Sequence, residues 1–324
     1  MNAKLPRDVR LAAPETRPGR ACPLSYRYPP ASLDRPPEVV ADTVYVVGGL
    51  YGNVESLHAV QEAVASEPGA QLVFNGDFHW FDVAAEDFAG IETGVTPHHA
   101  LRGNVETEIA SEDSGAGCGC AYPADVSDAE VYRSNEILAR LRETARAAPG
   151  MRERLAALPM NLVAQVGDAR VAIVHGDASS LAGWGFAQDR LDDRDHRRWI
   201  ESAFRDARVD IFASTHTCLP ALRGFAGAGV VANNGAAGMP NFAGRRMGLM
   251  TRLSVRPYEG SGRVAGFAWA DCHVDLLDIP YDAEAWSRRF LAAWPPGSAA
   301  HDSYWRRIAE GPRFRPEQAF PRAA

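Results

Sequence analysis

Phe212-Ala213-Ser214-Thr215-His216-Thr217-Cys218-Leu219-Pro220 is an apolar run that ends in an imidazole and a thiol two residues apart and is then broken by proline. In an extended segment residues i and i+2 share one face, so His216 and Cys218 can address one object. A metal ion is one such object. Ordinary packing at a strand end is the plainer alternative, because cysteine is readily buried. What the rest of the chain brings to the same place decides between them.

Working outward, Val44-Tyr45-Val46-Val47 has the look of a buried strand, Gly48 and Gly49 punctuate it, and Leu57, Val60, Ala63 and Val64 carry helical spacing. A second strand, Gln71-Leu72-Val73-Phe74, ends at Asn75-Gly76-Asp77 and leaves a carboxylate at its lip. A loop-rich stretch follows to Arg102-Gly103-Asn104, then a Gly/Cys-rich segment over 114–120 and a helix over 127–146. Apolar runs at 162–166 and 171–174, with Gly167-Asp168 between them, predict a hairpin that delivers His175 at its end. A polar helix over 192–206 leads into strand 210–213 and the His216 segment, and strands are expected at 230–232, 249–255 and 264–269. Strand and helix alternate early while strands follow one another late, so the expected class is α/β, with two sheets packed face to face and helices outside. Trp286, Phe290, Trp294 and Trp305 in the tail fit a helical stripe that packs on this body.

The chain of 324 residues is 46% apolar, enough for a large core. Its formal charge of -7 and lack of a long basic run argue against a general duplex-DNA binder or a membrane-surface protein. Five cysteines in a chain this long do not make a secreted disulfide framework. Residues 1–42 read as a Pro-rich arm with no apolar signal-peptide core, and no stretch of about 18 apolar residues predicts a membrane span. The expected location is cytoplasmic.

Asp77, Asn104, His175 and His216 thus all stand at predicted strand ends or loops, where open α/β sheets gather their ligands. Carboxylate, amide oxygen and two imidazoles suit a borderline or hard divalent ion such as Mn, Fe or Zn. Singly, each has a blander explanation as a turn former, a residue after glycine or a core histidine.

In order and context these motifs resemble the calcineurin-like metallophosphoesterase family over residues 44–278. Gly76-Asp77, Gly103-Asn104, Val174-His175-Gly176, Thr215-His216-Thr217-Cys218 against Gly-His-Thr-His, and the Asn233–Pro240 loop against Asn-Pro-Gly-Ser carry the resemblance. It implies a four-layer α/β/β/α sandwich of two mixed β-sheets flanked by helices over 43–280, with 281–324 as a helical extension. It also implies a phosphatase or phosphodiesterase, and the acidic overall balance favours a small phosphorylated metabolite over a long nucleic acid as its substrate.

Where the family opens with Asp-x-His-Gly-Asn, this chain has Gly49-Leu50-Tyr51-Gly52-Asn53; Cys218 replaces the last histidine, and Val105 stands where a histidine commonly follows Asn. Mapped onto two metals, all four ligands of one ion are present, while the other keeps only Asp77 and a candidate thiolate from Cys218. The second site is then lost, with Tyr51 filling it, or remade with Cys118, Cys120 and Cys218. His79 is a candidate replacement acid or a rim histidine, Arg102 a candidate phosphate ligand, and Asn234, Gly235 and Gly238 belong to the expected substrate loop. The alternative outcomes are a degenerate fold serving as a binding or scaffold module, and thiol redox or soft-metal chemistry.

Overall fold

The computed structural model describes residues 17–113 and 115–320. The first 16 residues of the expected arm, Ser114 and the last four residues lie outside them. The strands are β1 (Val39–Val40), β2 (Thr43–Val47), β3 (Gln71–Asn75), β4 (His99–Leu101), β5 (Asn161–Val166), β6 (Ala169–Val174), β7 (Ile211–Ser214), β8 (Pro220–Phe225), β9 (Gly229–Asn234), β10 (Gly248–Ser254), β11 (Arg263–Trp269) and β12 (Cys272–Ile279). The helices are α1 (Val54–Ala65), α2 (Ala85–Val95), α3 (Asn104–Ala110), α4 (Asp128–Arg146), α5 (Met151–Ala156), α6 (Gln188–Leu191), α7 (Arg197–Ala207), α8 (Ala283–Ala293), α9 (Ala299–Glu310) and α10 (Pro316–Ala319).

Two six-stranded mixed sheets result, in the orders β1-β5-β6-β7-β9-β8 and β11-β12-β10-β2-β3-β4. The period-2 alternation of strand side chains assigns the layers. Val44 and Val46 of β2, Val171 and Ile173 of β6, and Ile211 and Ala213 of β7 meet in the core between the sheets. Their neighbours Tyr45 and Val47 face one outer helical layer, and Ala172, Val174 and Phe212 face the other. Both faces of each sheet are covered, which makes the expected four-layer sandwich.

The 162–174 hairpin forms as antiparallel β5 and β6, with Gly167 in the left-handed region at φ 57°. α4 begins where Ser127 and Glu130 make a reciprocal capping box. In other places the structure departs from the expectation. The stretch read as loop before Arg102 holds α2 and β4, the helix expected from 192 starts at Arg197, and β8 and β12 were not anticipated. The described part of the arm is fastened down: Arg20 donates to the Pro123 and Val126 carbonyls, Tyr26 and Leu33 are buried, and β1 pairs with β5. Trp286, Phe290 and Trp294 pack in the helical layer, as a stripe of core residues should. Among the described residues no helix is long and apolar enough to cross a membrane.

Candidate metal centre

Four strand ends meet at one lip of the sandwich. β3 ends two residues before Asp77, β4 three before Asn104, β6 one before His175 and β7 two before His216. The sheets are tied there by Asn75, whose amide donates to the Val174 and Ala213 carbonyls. Gly76 and Gly103 let the loops after β3 and β4 touch: a Cβ on Gly76 would strike the Gly103 backbone, and one on Gly103 would strike the Asp77 carboxylate. The Gly76-Asp77 and Gly103-Asn104 dipeptides therefore have a steric cause.

Asp77, Asn104, His175 and His216 are all nearly or fully buried. His175 Nε2 lies 3.3 Å from Asp77 Oδ2, 3.2 Å from Asn104 Oδ1 and 3.2 Å from His216 Nδ1. The far side of each group fixes what faces inward. His175 Nδ1 lies 2.8 Å from the Asn75 carbonyl and His216 Nε2 3.2 Å from the Cys120 carbonyl, so those nitrogens carry the protons. The Asn104 amide NH2 donates to the Cys118 carbonyl at 2.9 Å, which turns its oxygen inward. Four acceptor atoms consequently converge, and the one proton available among them is that which His175 Nε2 can carry toward Asp77. A proton on His175 Nε2 can point at only one of its three neighbours, whereas a single cation satisfies all four.

Ligand atoms about 2.0–2.2 Å from one ion stand roughly 3–3.5 Å apart, which is the spacing His175 Nε2 keeps to each of the other three. Asp77, His175 and His216 alone form a mutual cluster within 4.8 Å, and among the described residues no other such group of His, Cys, Asp or Glu occurs. Burial and the neighbouring His175 push His216 down to about 3, so it stays neutral, as a ligand must. Burial lowers His175 too, but the Asp77 charge and hydrogen bond outweigh it and the net direction is upward. Burial raises the Asp77 carboxyl, and the two imidazoles more than reverse that, holding it below the usual range.

Backbone strain collects in the same place. Tyr51, Asp77, His216 and Cys218 all have positive φ, between 40° and 61°, a conformation that non-glycine residues adopt only under local constraint. A residue missed in the sequence holds part of this strain: the buried Glu106 carboxylate accepts the Asp77 and Gly103 amides at 2.8 Å and the His79 amide at 3.3 Å. Its position three residues after Gly103, as in a capping box, was the available signal.

The structure does not bring the remaining sequence candidates to the centre as expected. Cys218 Sγ sits 2.9 Å from the Tyr51 hydroxyl instead of joining the cluster, and Tyr51 is buried. Burial pushes both groups upward, with Arg307 opposing it at each, so thiol and phenol stay protonated. Cys118 and Cys120 build no thiolate site with Cys218; the Cys120 thiol, raised by burial, instead contacts the Asn104 amide at 3.6 Å. His79 is locked between Asp82 at 2.5 Å and Glu92 at 2.6 Å and stacks on Phe88, away from the cleft. Arg102 donates to the Ala156 carbonyl. The loop over 234–238 has no amide to spare: Gly235 and Ala236 donate to Asn233 and Asn241, Ala237 and Gly238 to the Gly48 and Gly49 carbonyls, and the Asn234 amide to Gly48 and Leu249.

Above the cluster opens a cavity of about 220 Å³. Its walls include Trp80, beside the His79 segment, and Tyr122, Trp184, Tyr304 and Arg307, which the sequence did not flag.

Two solved structures share this architecture. A hypothetical protein from Pyrococcus horikoshii OT3 is 17% identical, with a TM-score of 0.58 over 85% of this chain and all of its own. A metallophosphoesterase from Sphaerobacter thermophilus is 15% identical, with a TM-score of 0.53 over 84% of this chain and all of its own. The fold is that of a metallophosphoesterase. No protein-family profile and no curated protein matches the chain. At such identities the likeness fixes the metallophosphoesterase fold, and the chemistry has to be argued from the side chains.

Proposed function

We propose that this protein is a metal-dependent phosphoester hydrolase with one divalent metal position, held by Asp77, Asn104, His175 and His216, that acts on a small phosphorylated molecule. The observation that carries the reading is the inward convergence of four acceptor atoms at about 3.2–3.3 Å, with each outer nitrogen anchored on a backbone carbonyl. A donor set of one carboxylate, one amide oxygen and two imidazoles fits Mn, Fe or Zn. Such an ion supplies Lewis acidity toward a phosphoryl oxygen and lowers the pKa of water.

The chain's own residues do the rest. The Asn75 and Cys120 carbonyls hold the two imidazole tautomers in the ligating orientation. Tyr51 and Cys218, hydrogen-bonded to each other and un-ionised, close the side where a second ion would sit. Hydrolysis forms a bond from water oxygen to phosphorus and breaks the bond to the ester oxygen, which leaves with the electron pair and takes up the proton that water releases. With Val105 in the third motif and His79 locked away, the lining holds no imidazole besides His216 to deliver that proton. Esters of acidic alcohols, whose oxides leave unprotonated, are therefore the favoured substrates.

The scaffold alternative has less support, because buried acceptors without a donor cost stability that a passive module has no reason to bear. All five cysteines are free, in keeping with a reducing, cytoplasmic setting. The test is elemental analysis of the purified protein combined with hydrolysis of an aryl phosphodiester. About one ion per chain and turnover lost on chelation are expected. A metal-free protein that takes up no added Mn, Fe or Zn overturns the reading.

A further inference from the structure

Arg307, in α9, is a cation without a carboxylate. Its Nε donates to the Pro240 carbonyl at 3.0 Å and its Nη2 to the Cys218 carbonyl at 2.6 Å, both neutral acceptors. Among the described residues it makes no ion pair, although it lines the cavity beside the metal cluster. The other charged lining groups are Asp77, at the cluster, and Glu130, which is exposed and engaged with Ser127. Two carbonyls thus fix the plane of a guanidinium whose charge and whose Nη1 donors remain for an anion in the cavity, and that planar fork matches phosphoryl oxygens.

Much of the remaining cavity wall is aromatic and held in place. The Tyr122 and Trp184 rings lie 6.2 Å apart at 46°, and Trp184 stands edge-on to His216 at 5.4 Å. Trp184 Nε1 donates to the Cys120 carbonyl at 3.1 Å, the next amide, Gly185, donates to Asp177, and the Tyr122 hydroxyl is paired with Ser134. Tyr304 packs its ring against Phe81 at 5.1 Å. Rings fixed in this way bind a flat ligand without the loss of freedom that floppy side chains incur.

We infer that the cleft selects phosphoesters whose organic group is a flat aromatic ring, with Arg307 gripping the phosphoryl oxygens while Trp184, Tyr122 and Tyr304 flank the ring. This rests on the hydrolase reading for its place in a reaction but not for its test. An aryl oxide is also the leaving group that departs most readily without a proton, so the binding preference and the missing acid point the same way.

The test is equilibrium binding of two stable probes, phenylphosphonate and methylphosphonate, by calorimetry on the Mn-loaded full chain. The wild type is expected to bind phenylphosphonate about 10-fold tighter or better, an aromatic contact of one to two kcal/mol in size. Trp184→Leu should bring that ratio near one while leaving methylphosphonate within about twofold. Arg307→Gln should weaken both probes by about 10- to 100-fold with metal content unchanged, and Arg307→Lys, which keeps the charge, should recover part of the loss. Should the Gln variant fail to fold, the Lys variant alone decides, with a loss of severalfold on both probes expected. Equal affinity of the two probes in the wild type, a ratio untouched by Trp184→Leu, or probe binding indifferent to Arg307 substitution overturns the inference. Binding as expected without turnover of any ester sinks the hydrolase reading and leaves this inference standing.

Discussion

Two buried polar clusters in this molecule behave in opposite ways. In the second sheet Arg252, 2% exposed, donates twice to Glu67 at 2.7 and 2.9 Å, once to the Arg256 carbonyl, and reaches Asp275 at 3.5 Å. Its donors meet acceptors and its charge meets opposite charge, so it is complete as a structural tie. At the strand ends Asp77, Asn104, His175 and His216 turn four acceptor atoms toward one another with at most one proton, on His175 Nε2, to share among them. Burial is common to both, but only in the second do acceptors outnumber donors, and the proposed metal position rests on that difference between a site and a strut. His175→Ala tests the contrast most severely. Metal content should fall from about one ion per chain to near zero and turnover by at least about 10³-fold, because His175 Nε2 touches all three other ligand atoms. Retained metal in a folded variant breaks the comparison.

Glu106 comes next in expected effect, because one carboxylate holds both the Asp77 and the Asn104 loops. Glu106→Ala leaves three amide donors buried without an acceptor, each worth about 1–3 kcal/mol, so a large drop in the denaturation midpoint is expected. Glu106→Gln keeps one acceptor oxygen for the Asp77 and Gly103 amides but turns its NH2 toward the His79 amide, so a smaller loss of stability than in the Ala variant is expected, with metal affinity weakened about 10- to 100-fold in a competition titration. An unchanged affinity in the Gln variant would mean that the loops hold their strained shape unaided.

How much of this the sequence showed depended on the distance over which each contact acts. Asp77, His175 and His216 were legible because each follows a strand whose apolar pattern is local, and so were the facing core residues Val44, Val46, Val171 and Ile173, whereas Asn104 was legible from the Gly103-Asn104 motif alone, its strand β4 having been read as loop. α2 was hidden by Gly90 and Gly94, which depress helix propensity, although Phe88, Ile91 and Val95 carry the spacing of its buried face. Arg307 and Trp184 had no spacing that connects them to His216; they arrive through packing of α9 and of the loop after β6. The amides over 235–238 were misread for the same reason, since two of their acceptors, Gly48 and Gly49, lie nearly two hundred residues earlier. His79, read as a candidate acid or a rim histidine, does pack among aromatic rings but lies buried below the rim, because two carboxylates, at Asp82 and the more distant Glu92, converge on its ring.

The closed side of the cleft offers a smaller but sharper test. Gly49→Asp alone should destabilise the fold by roughly 1–2 kcal/mol, because Gly49 has φ 66° and a Cβ there would lie 2.7 Å from the Tyr51 ring. Combined with Tyr51→His and Cys218→His, the obstruction goes and three donors return beside Asp77. The triple variant is expected to bind a second equivalent of Mn or Zn by elemental analysis. If it still binds one, the lip has lost the backbone geometry as well as the side chains of the second position.

The smallest expected effect comes from the complete cluster and serves as its control. The hydrogen bond from Arg252 holds Glu67 down to about 2, against a partial upward pull from burial, with Tyr45 and Thr43 adding to the lowering. A carboxyl whose pKa is depressed on folding contributes stability that is present above its unfolded value of about 4.5 and fades as pH falls toward 2. Because Glu67 is partly solvated, the contribution is modest, and a shift of roughly 2 °C in melting temperature is expected from its loss. Melting curves between pH 6 and 3 in the wild type and in Glu67→Gln should therefore converge as pH drops. Added Mn should raise both curves equally at neutral pH, since the strut and the site share no residue. A metal-induced stabilisation that vanished in Glu67→Gln would show the two clusters coupled through β10 and β2, and the division between them would no longer hold.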